Sequence, residues 1–202
     1  MRIDILASYS PRMLIQQFID DPTTPIAASE MDVHGAVVFV DVSGFTALSE
    51  ALSREHGAIE GAELLNVYIN AYMRKLIEYI ERAGGDIIKF AGDAMQVVWR
   101  AGQAGVTHAA SIIDEEPTSV RRSGAPAEIE RLTRVNDLSE QVLKASRCCL
   151  SMLTDLHGFS PVTGVTLRLH IGIGAGRMIA YTVGGHLKKW CACTPVHLAC
   201  AC

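Results

Sequence analysis

The stretch AVVFVDVSGFT, residues 36–46, decides the fold of this chain. Residues 36–42 form a nearly unbroken apolar run, which predicts a strand buried on both faces. Asp41 lies at the end of this run, where a carboxylate is costly unless it is paired or binds a cation. Residues 43–46 predict a turn before a helix, and the backbone N–H groups at such a helix start suit phosphate oxygens.

A second stretch, GGDIIKFAGDA at residues 84–94, predicts a hairpin. Residues 86–90 and 95–99 are typical of strands, and the two-residue loop between them begins with glycine, as tight turns often do. Asp93 then lies at the hairpin tip. If the hairpin pairs beside the first strand, Asp41 and Asp93 converge. Two carboxylates without histidine or thiolate suit magnesium or manganese bound together with substrate phosphates.

Each aspartate alone has a simpler explanation. A single aspartate after a strand usually caps a turn or a helix, and Asp93 alone is typical of turn chemistry. The two motifs together, separated by a long helix, are more specific than either one. We therefore keep the paired-carboxylate hypothesis beside the turn interpretation.

The rest of the chain predicts an α+β fold. Its segments are a helix over 59–82, a surface insertion with little fixed structure over 101–136, a helix over 137–157, and strands over 165–175 and 178–183 hinged at 174–176. The insertion is inferred from its prolines, glycines and mixed charges.

Composition excludes several classes of function. The chain has 202 residues, 49% hydrophobic and 20% charged, which predicts one domain with a packed core. The net charge is −4 and no basic patch is visible, so nucleic-acid binding is not expected. No apolar stretch approaches the ~20 residues of a membrane span, and no signal peptide is evident, so we expect a cytosolic location. A P-loop pattern is absent from the sequence.

The six cysteines fall into two groups. Cys148 and Cys149 lie in a helical pattern and are expected to be small core residues. The other four form two Cys-x-Cys pairs within residues 191–202. These pairs could bind a soft metal or form a disulfide clip, but neither is favoured by the spacing or by a cytosolic location.

The two motifs resemble a known family. FVDVSGFT (39–46) and GGDIIKFAGDA (84–94) are similar to the metal-binding motifs of class III adenylyl and guanylyl cyclases. These two sequences are most similar to those of the soluble, bicarbonate-responsive adenylyl cyclases and their bacterial relatives. The resemblance covers about residues 35–100, and it resumes in the helix after the insertion and in RLHIGIGAG, residues 168–176. It implies a ferredoxin-like α+β domain, with a central, mostly antiparallel sheet and flanking helices.

The resemblance also implies a site and a reaction. Two Mg²⁺ or Mn²⁺ ions would be held by Asp41, Asp93 and the carbonyl of Val42. The triphosphate would be held by the turn that comprises Ser43, Gly44, Phe45 and Thr46. Attack of the ribose 3′-hydroxyl on the α-phosphate of ATP would give cyclic AMP and pyrophosphate. Such sites form between two cyclase domains, so a second domain in cis or in trans is implied.

Lys89 has three possible roles that the sequence leaves open. It resembles the lysine that accepts adenine, which favours ATP over GTP. In two-domain relatives the same position of the first domain faces a pocket for the activator bicarbonate. The third possibility is an exposed strand lysine without either role.

We expect the cyclase domain to be incomplete. The sequence divides into a helical lead-in (1–30), a cyclase domain (31–190) and an atypical cysteine-rich tail (191–202). Family domains continue past residues 184–185 into a strand and a helix that carries an asparagine and an arginine for the transition state, and the tail does not resemble them. This predicts an uncovered sheet edge and little activity of the chain alone. The alternative is a catalytically inactive or regulatory cyclase-like module.

Overall fold

The structure is a computed structural model that describes residues 10–20, 29–102, 127–185 and 188–195. Its elements in chain order are α1 (Arg12–Asp20), β1 (Ser29–Ser43), α2 (Phe45–His56), α3 (Ala58–Arg82), β2 (Asp86–Ala91), β3 (Ala94–Arg100), α4 (Ala127–Leu156), β4 (Arg168–Gly185) and β5 (Lys188–Pro195). The α+β class is confirmed, as are the strand 36–42, the helix 59–82 and the hairpin of β2 and β3. The observed ends of these elements lie within two residues of the predicted ones, except that β1 begins earlier, at Ser29.

The five strands form one sheet in the order β2-β3-β1-β4-β5. Each neighbouring pair is antiparallel. β1 is central and pairs with β4 along its whole length, from Ser29 opposite Thr182 to Ser43 opposite Arg168. The sheet therefore depends on β1, the strand that the opening apolar run predicts.

One face of the sheet is covered by α2, α3 and α4. Val38, Val40 and Val42 are fully buried on this face, because alternate residues of a strand point to the same side. Their partners in the main core come from all three helices and include Leu48, Leu52, Tyr72, Leu76, Ile80, Met152 and Leu156. Cys148 and Cys149 also belong to this core, as predicted.

The other face is only partly covered. α1 places Met13 against Val33 and Val37 of β1, in a second cluster with residues of the neighbouring strands. Beyond this cluster, Phe39 is 46% exposed and Asp41 is exposed. The prediction that residues 36–42 are buried on both faces is therefore wrong for Phe39 and Asp41, because α1 reaches only the N-terminal part of β1.

The predicted hinge at residues 174–176 is wrong. The segments 165–175 and 178–183 do not form two strands, since a single strand, β4, runs from Arg168 to Gly185. Its register with β1 continues without a shift through Gly176, which lies opposite Gly35. A side chain at Gly35 would place its Cβ 2.1 Å from the carbonyl oxygen of Trp99. The absence of a side chain at Gly35 thus permits close packing of the strands. Continuous pairing with β1 keeps β4 a single strand through its glycines at 174 and 176.

Part of the predicted tail is a strand. Residues 188–195 form β5, which pairs with β4 from Gly185 opposite Lys188 to Met178 opposite Pro195. β4 is therefore an inner strand, because backbone pairing does not require the residues found in relatives, and β5 is the last strand on this side of the sheet. Residues 196–202 lie outside the described residues.

The predicted insertion is shorter than 101–136. α4 begins at Ala127, ten residues before the predicted helix start at 137. Pro126 directly precedes the helix in the sequence, and residues 127–156 contain neither glycine nor proline, so nothing in the chain interrupts the helix there. Residues 103–126 lie outside the described residues. Among the described helices, none is long and apolar enough to cross a membrane.

Candidate active site

The β1–β3 register brings Asp41 and Asp93 close together. Asp41 lies opposite Ala94, the residue that directly follows Asp93. Asp93 lies with Gly92 in the loop between β2 and β3, and Gly92 has a φ of +66°, which favours glycine. Opposed residues of an antiparallel pair have Cα atoms about 4.5–5.5 Å apart. Both aspartates are exposed, so they are accessible to a solvated cation.

Only the backbone of Val42, and not its side chain, is available to this site. Its side chain is fully buried in the main core, on the opposite face from Asp41. The β1–β3 register ends at the Asp41–Ala94 pair, whereas β4 remains paired with β1 as far as Ser43. The backbone of Val42 is thus beyond the end of the β1–β3 ladder and beside the loop that carries Asp93.

The turn after β1 is shaped by Gly44. This residue has a φ of +110° and precedes the first residue of α2, Phe45. A Cβ at Gly44 would lie 2.7 Å from the carbonyl oxygen of Thr166. The N-terminus of α2 has no side-chain cap and no acidic residue in its first turn. Its first N–H groups and the positive end of its dipole therefore favour an anion beside Ser43.

Two residues of β4 that the sequence analysis did not assign also lie at this site. His170 lies opposite Asp41, and Arg168 lies opposite Ser43. The Oγ of Ser43 lies 3.2 Å from Nε2 of His170. Both β4 residues are exposed. The signal available in the sequence was their two-residue spacing, which puts both on one face of a strand, but only the register shows that this face carries Asp41.

Lys89 lies on the same face, farther along the sheet. It is half-buried and opposite Gln96, and Gln96 is opposite Phe39. Phe39 and Asp41 are two positions apart on β1, so they share a face. From strand spacings, the Cα atoms of Lys89 and Asp41 are roughly 12 Å apart. One ligand that spans part of this face could therefore reach both residues.

This face is exposed around Phe39 and Asp41, whereas Gln96, which lies between Phe39 and Lys89, is only 3% exposed. Phe39 is 46% exposed, and its partner on β4, Gly172, has no side chain to shield it. The exposed and half-buried residues of this face are Phe39, Asp41, Ser43, Lys89, Arg168, His170 and Gly172, and we call this surface the open face.

The oxygen donors around Asp41 and the β2–β3 loop fit a hard divalent cation. Asp41 and Asp93 supply carboxylate oxygens, and Val42 supplies a carbonyl, which are the ligand types that Mg²⁺ and Mn²⁺ prefer. In the described residues, no group of three or more His, Cys, Asp or Glu could hold a metal ion.

Residues 28–197 match the family described as the adenylate and guanylate cyclase catalytic domain. The chain belongs to this family. Adenylate cyclase type 10 of Rattus norvegicus and that of Homo sapiens are each 44% identical to the chain over 70 residues. This alignment covers 33% of the chain and only 4% of each relative. A solved bacterial light-regulated adenylyl cyclase matches with a TM-score of 0.56 and 18% identity, over 95% of this chain and 44% of that chain.

These comparisons confirm the predicted family and fold. The resemblance to class III cyclases of the soluble adenylyl cyclase type is confirmed, and the likeness to the light-regulated enzyme shows the fold alone, given its low identity. The matched region of this cyclase domain extends to residue 197, so it includes β5, which the sequence analysis had partly assigned to an atypical tail.

Proposed function

We propose that this cyclase domain converts ATP to cyclic AMP and pyrophosphate, in cyclic-nucleotide signalling. The observation that carries the proposal is the pairing of Asp41 with Ala94, which brings Asp41 and Asp93 together at the end of the open face. The anion-binding turn at Ser43 follows directly on the same strand. A carboxylate pair beside a phosphate-binding turn is the arrangement that nucleotide chemistry with a bound cation requires.

Asp41 and Asp93, with the carbonyl of Val42, would hold Mg²⁺ or Mn²⁺. When bound, two such ions would supply Lewis-acid activation of the ribose 3′-hydroxyl and neutralise charge on the α-phosphate. The protein's own contribution is to keep both carboxylates exposed and adjacent while β1 and the hairpin remain fixed in the sheet. Loss of either carboxylate should therefore disrupt the whole site.

The turn of residues 43–46 would bind the triphosphate. The uncapped N–H groups at the start of α2 donate to phosphate oxygens, and the helix dipole adds a favourable potential. Ser43 and His170 contact each other at the edge of this turn, so both can contribute polar atoms to the same group. Arg168, opposite Ser43, adds positive charge at this end of the open face.

Lys89 would contact the base, with its amine donating to an acceptor nitrogen of adenine, and this favours ATP over GTP. The competing role, binding an activator anion such as bicarbonate, remains a second proposal for the same residue. The two roles predict different effects of replacing Lys89. A base contact makes the ATP-to-GTP preference depend on Lys89, whereas an activator contact makes bicarbonate stimulation depend on it.

A second cyclase domain, in cis or in trans, would complete the site. The open face carries the half-exposed Phe39 beside the unshielded Gly172, and this surface is suited to cover by another domain. The competing hypothesis from the sequence, an inactive regulatory module, would use the same face for binding without turnover.

Cyclic AMP formation from ATP tests the proposal. The chain is assayed with Mg²⁺ or Mn²⁺, alone and with a complete cyclase domain, and Asp41→Asn is compared with Asp32→Asn. Asp32 is a matched control on the same strand, where it forms an exposed ion pair with Arg177. We expect activity with the partner domain that is lost in Asp41→Asn and kept in Asp32→Asn. Nucleotide binding without turnover in both mixtures would favour the regulatory module.

A further inference from the structure

α1 is attached to the sheet by a carboxylate from β2. The backbone N–H groups of Arg12 and Met13 donate to Oδ1 and Oδ2 of Asp86, at 2.9 and 3.0 Å. The first N–H groups of a helix have no partner inside the helix, so a carboxylate that accepts two of them caps that end and complements its dipole. Because Asp86 is 74 residues from Arg12, this cap holds α1 to a distant strand.

The apolar side of α1 strengthens this attachment. Met13 is only 2% exposed and belongs to the second core cluster. The strand residues of this cluster are Val33, Val37, Ile88, Val98, Met178 and Ala180. They come from four strands, so Met13 packs at one end of the sheet face on which the open face also lies.

Shared membership of this cluster with Ile88 links α1 to the open face. The β2–β3 register places Ile87 opposite Val97 and Lys89 opposite Gln96, so Ile88 is the extra residue of a β-bulge. Ile88 is 4% exposed and packs in the cluster that contains Met13. A bulge changes the direction of the residues beside it, and here the next residue is Lys89.

We infer that Asp86 is a positioning residue for Lys89. By capping α1, Asp86 holds Met13 over Ile88, which keeps the bulge in place and Lys89 opposite Gln96 on the open face. The functional part of this inference rests on the proposed role of Lys89 in binding the base or an activator. The structural part, coupling between α1 and Lys89, does not depend on that role.

Hydrogen exchange on the full chain tests the structural part. Asp86→Ala and Met13→Ala are compared with Asp32→Ala, which removes an exposed ion pair elsewhere on β1. We expect the amides of α1, Ile88 and Lys89 to exchange about fivefold faster in the first two variants, the effect of losing one helix cap. Lys89 should also be acetylated faster, relative to Lys75 on α3 as an internal reference. Asp86→Asn keeps one hydrogen-bond acceptor and should give exchange and acetylation rates between those of the wild type and Asp86→Ala. It replaces Asp86→Ala in the comparison if that variant does not fold.

Faster exchange in α1 with unchanged exchange and acetylation at Lys89 would overturn the inference. The functional part is tested by adding Asp86→Ala to Lys89→Ala in the cyclase assay with a partner domain. We expect Asp86→Ala to raise the KM for ATP in the wild-type background and to have no further effect once Lys89 is absent. An equal effect in both backgrounds would show a merely structural role. Failure of the wild-type chain to bind ATP would contradict the proposed function and leave the exchange result as the test of coupling.

Discussion

The Oγ of Ser43 lies 3.2 Å from Nε2 of His170, and this contact joins the turn after β1 to the part of the open face that carries Asp41. Ser43 directly precedes Gly44, whose φ of +110° starts α2. His170 is opposite Asp41 in the sheet. The contact therefore connects the two parts of the proposed site, the carboxylates and the anion-binding turn.

Replacing His170 should weaken nucleotide binding. We expect His170→Ala to raise the KM for ATP by about 2–13-fold, the effect of losing a hydrogen bond worth about 0.5–1.5 kcal/mol. Steady-state kinetics with a partner domain measures this. His56→Ala is the control, since His56 lies at the end of α2 and interacts only with neighbouring acids in the described structure. A double-mutant cycle with Ser43→Ala should show coupling, and additive effects would argue against a shared role.

Replacing Gly44 should distort the turn. We expect Gly44→Ala to lower the free energy of unfolding by about 1–3 kcal/mol, because alanine is strained at positive φ and its Cβ would meet the carbonyl oxygen of Thr166. Urea unfolding measures the loss. Gly158→Ala is the matched control, since Gly158 has a φ of +80° but open space around its Cβ position. Equal losses in the two variants would contradict the steric part of the argument.

The buried thiols should react slowly. Burial, with a smaller effect of the neighbouring Cys149, raises the pKa of Cys148 to about 12. We expect iodoacetamide at about pH 8 to modify Cys148 and Cys149 much faster in urea than in the native chain, as peptide mapping would show. Since the folded pKa lies above the unfolded one, the contribution of Cys148 to stability is present at lower pH and is lost as the pH rises toward 12. Rapid alkylation of the native chain would contradict this.

The sequence predicted the elements of the site better than their arrangement. The apolar run before Asp41 and the glycine-led loop at Asp93 are local signals, so the strand and the hairpin were found. The position of His170 depends on pairing between residues more than a hundred positions apart, which no local pattern encodes. The same limitation applies to Asp86, which the motif contains but whose helix partners lie 73 and 74 residues away.

Two further errors have a common cause. The sequence analysis predicts a hinge at the glycines 174–176, and it assigns residues 191–195, which lie in β5, to a tail outside the domain. Both inferences relied on side-chain identity, whereas strand formation there is supported by the backbone pairing of β4 with its neighbours. Gly35 shows that glycine in a strand can serve close packing, because its Cβ would collide with the backbone of Trp99.

Binding of Mn²⁺ in the presence of 3′-deoxy-ATP, which lacks the attacking hydroxyl and cannot be cyclised, tests the central claim most directly. The wild-type chain, Asp41→Asn, Asp93→Asn and the double variant are titrated by electron paramagnetic resonance, with Asp32→Asn as the control. If Asp41 and Asp93 share one site, each single variant should lose nearly as much Mn²⁺ affinity as the double variant, and Asp32→Asn should bind as the wild type does. Undiminished Mn²⁺ binding in the double variant would contradict the account.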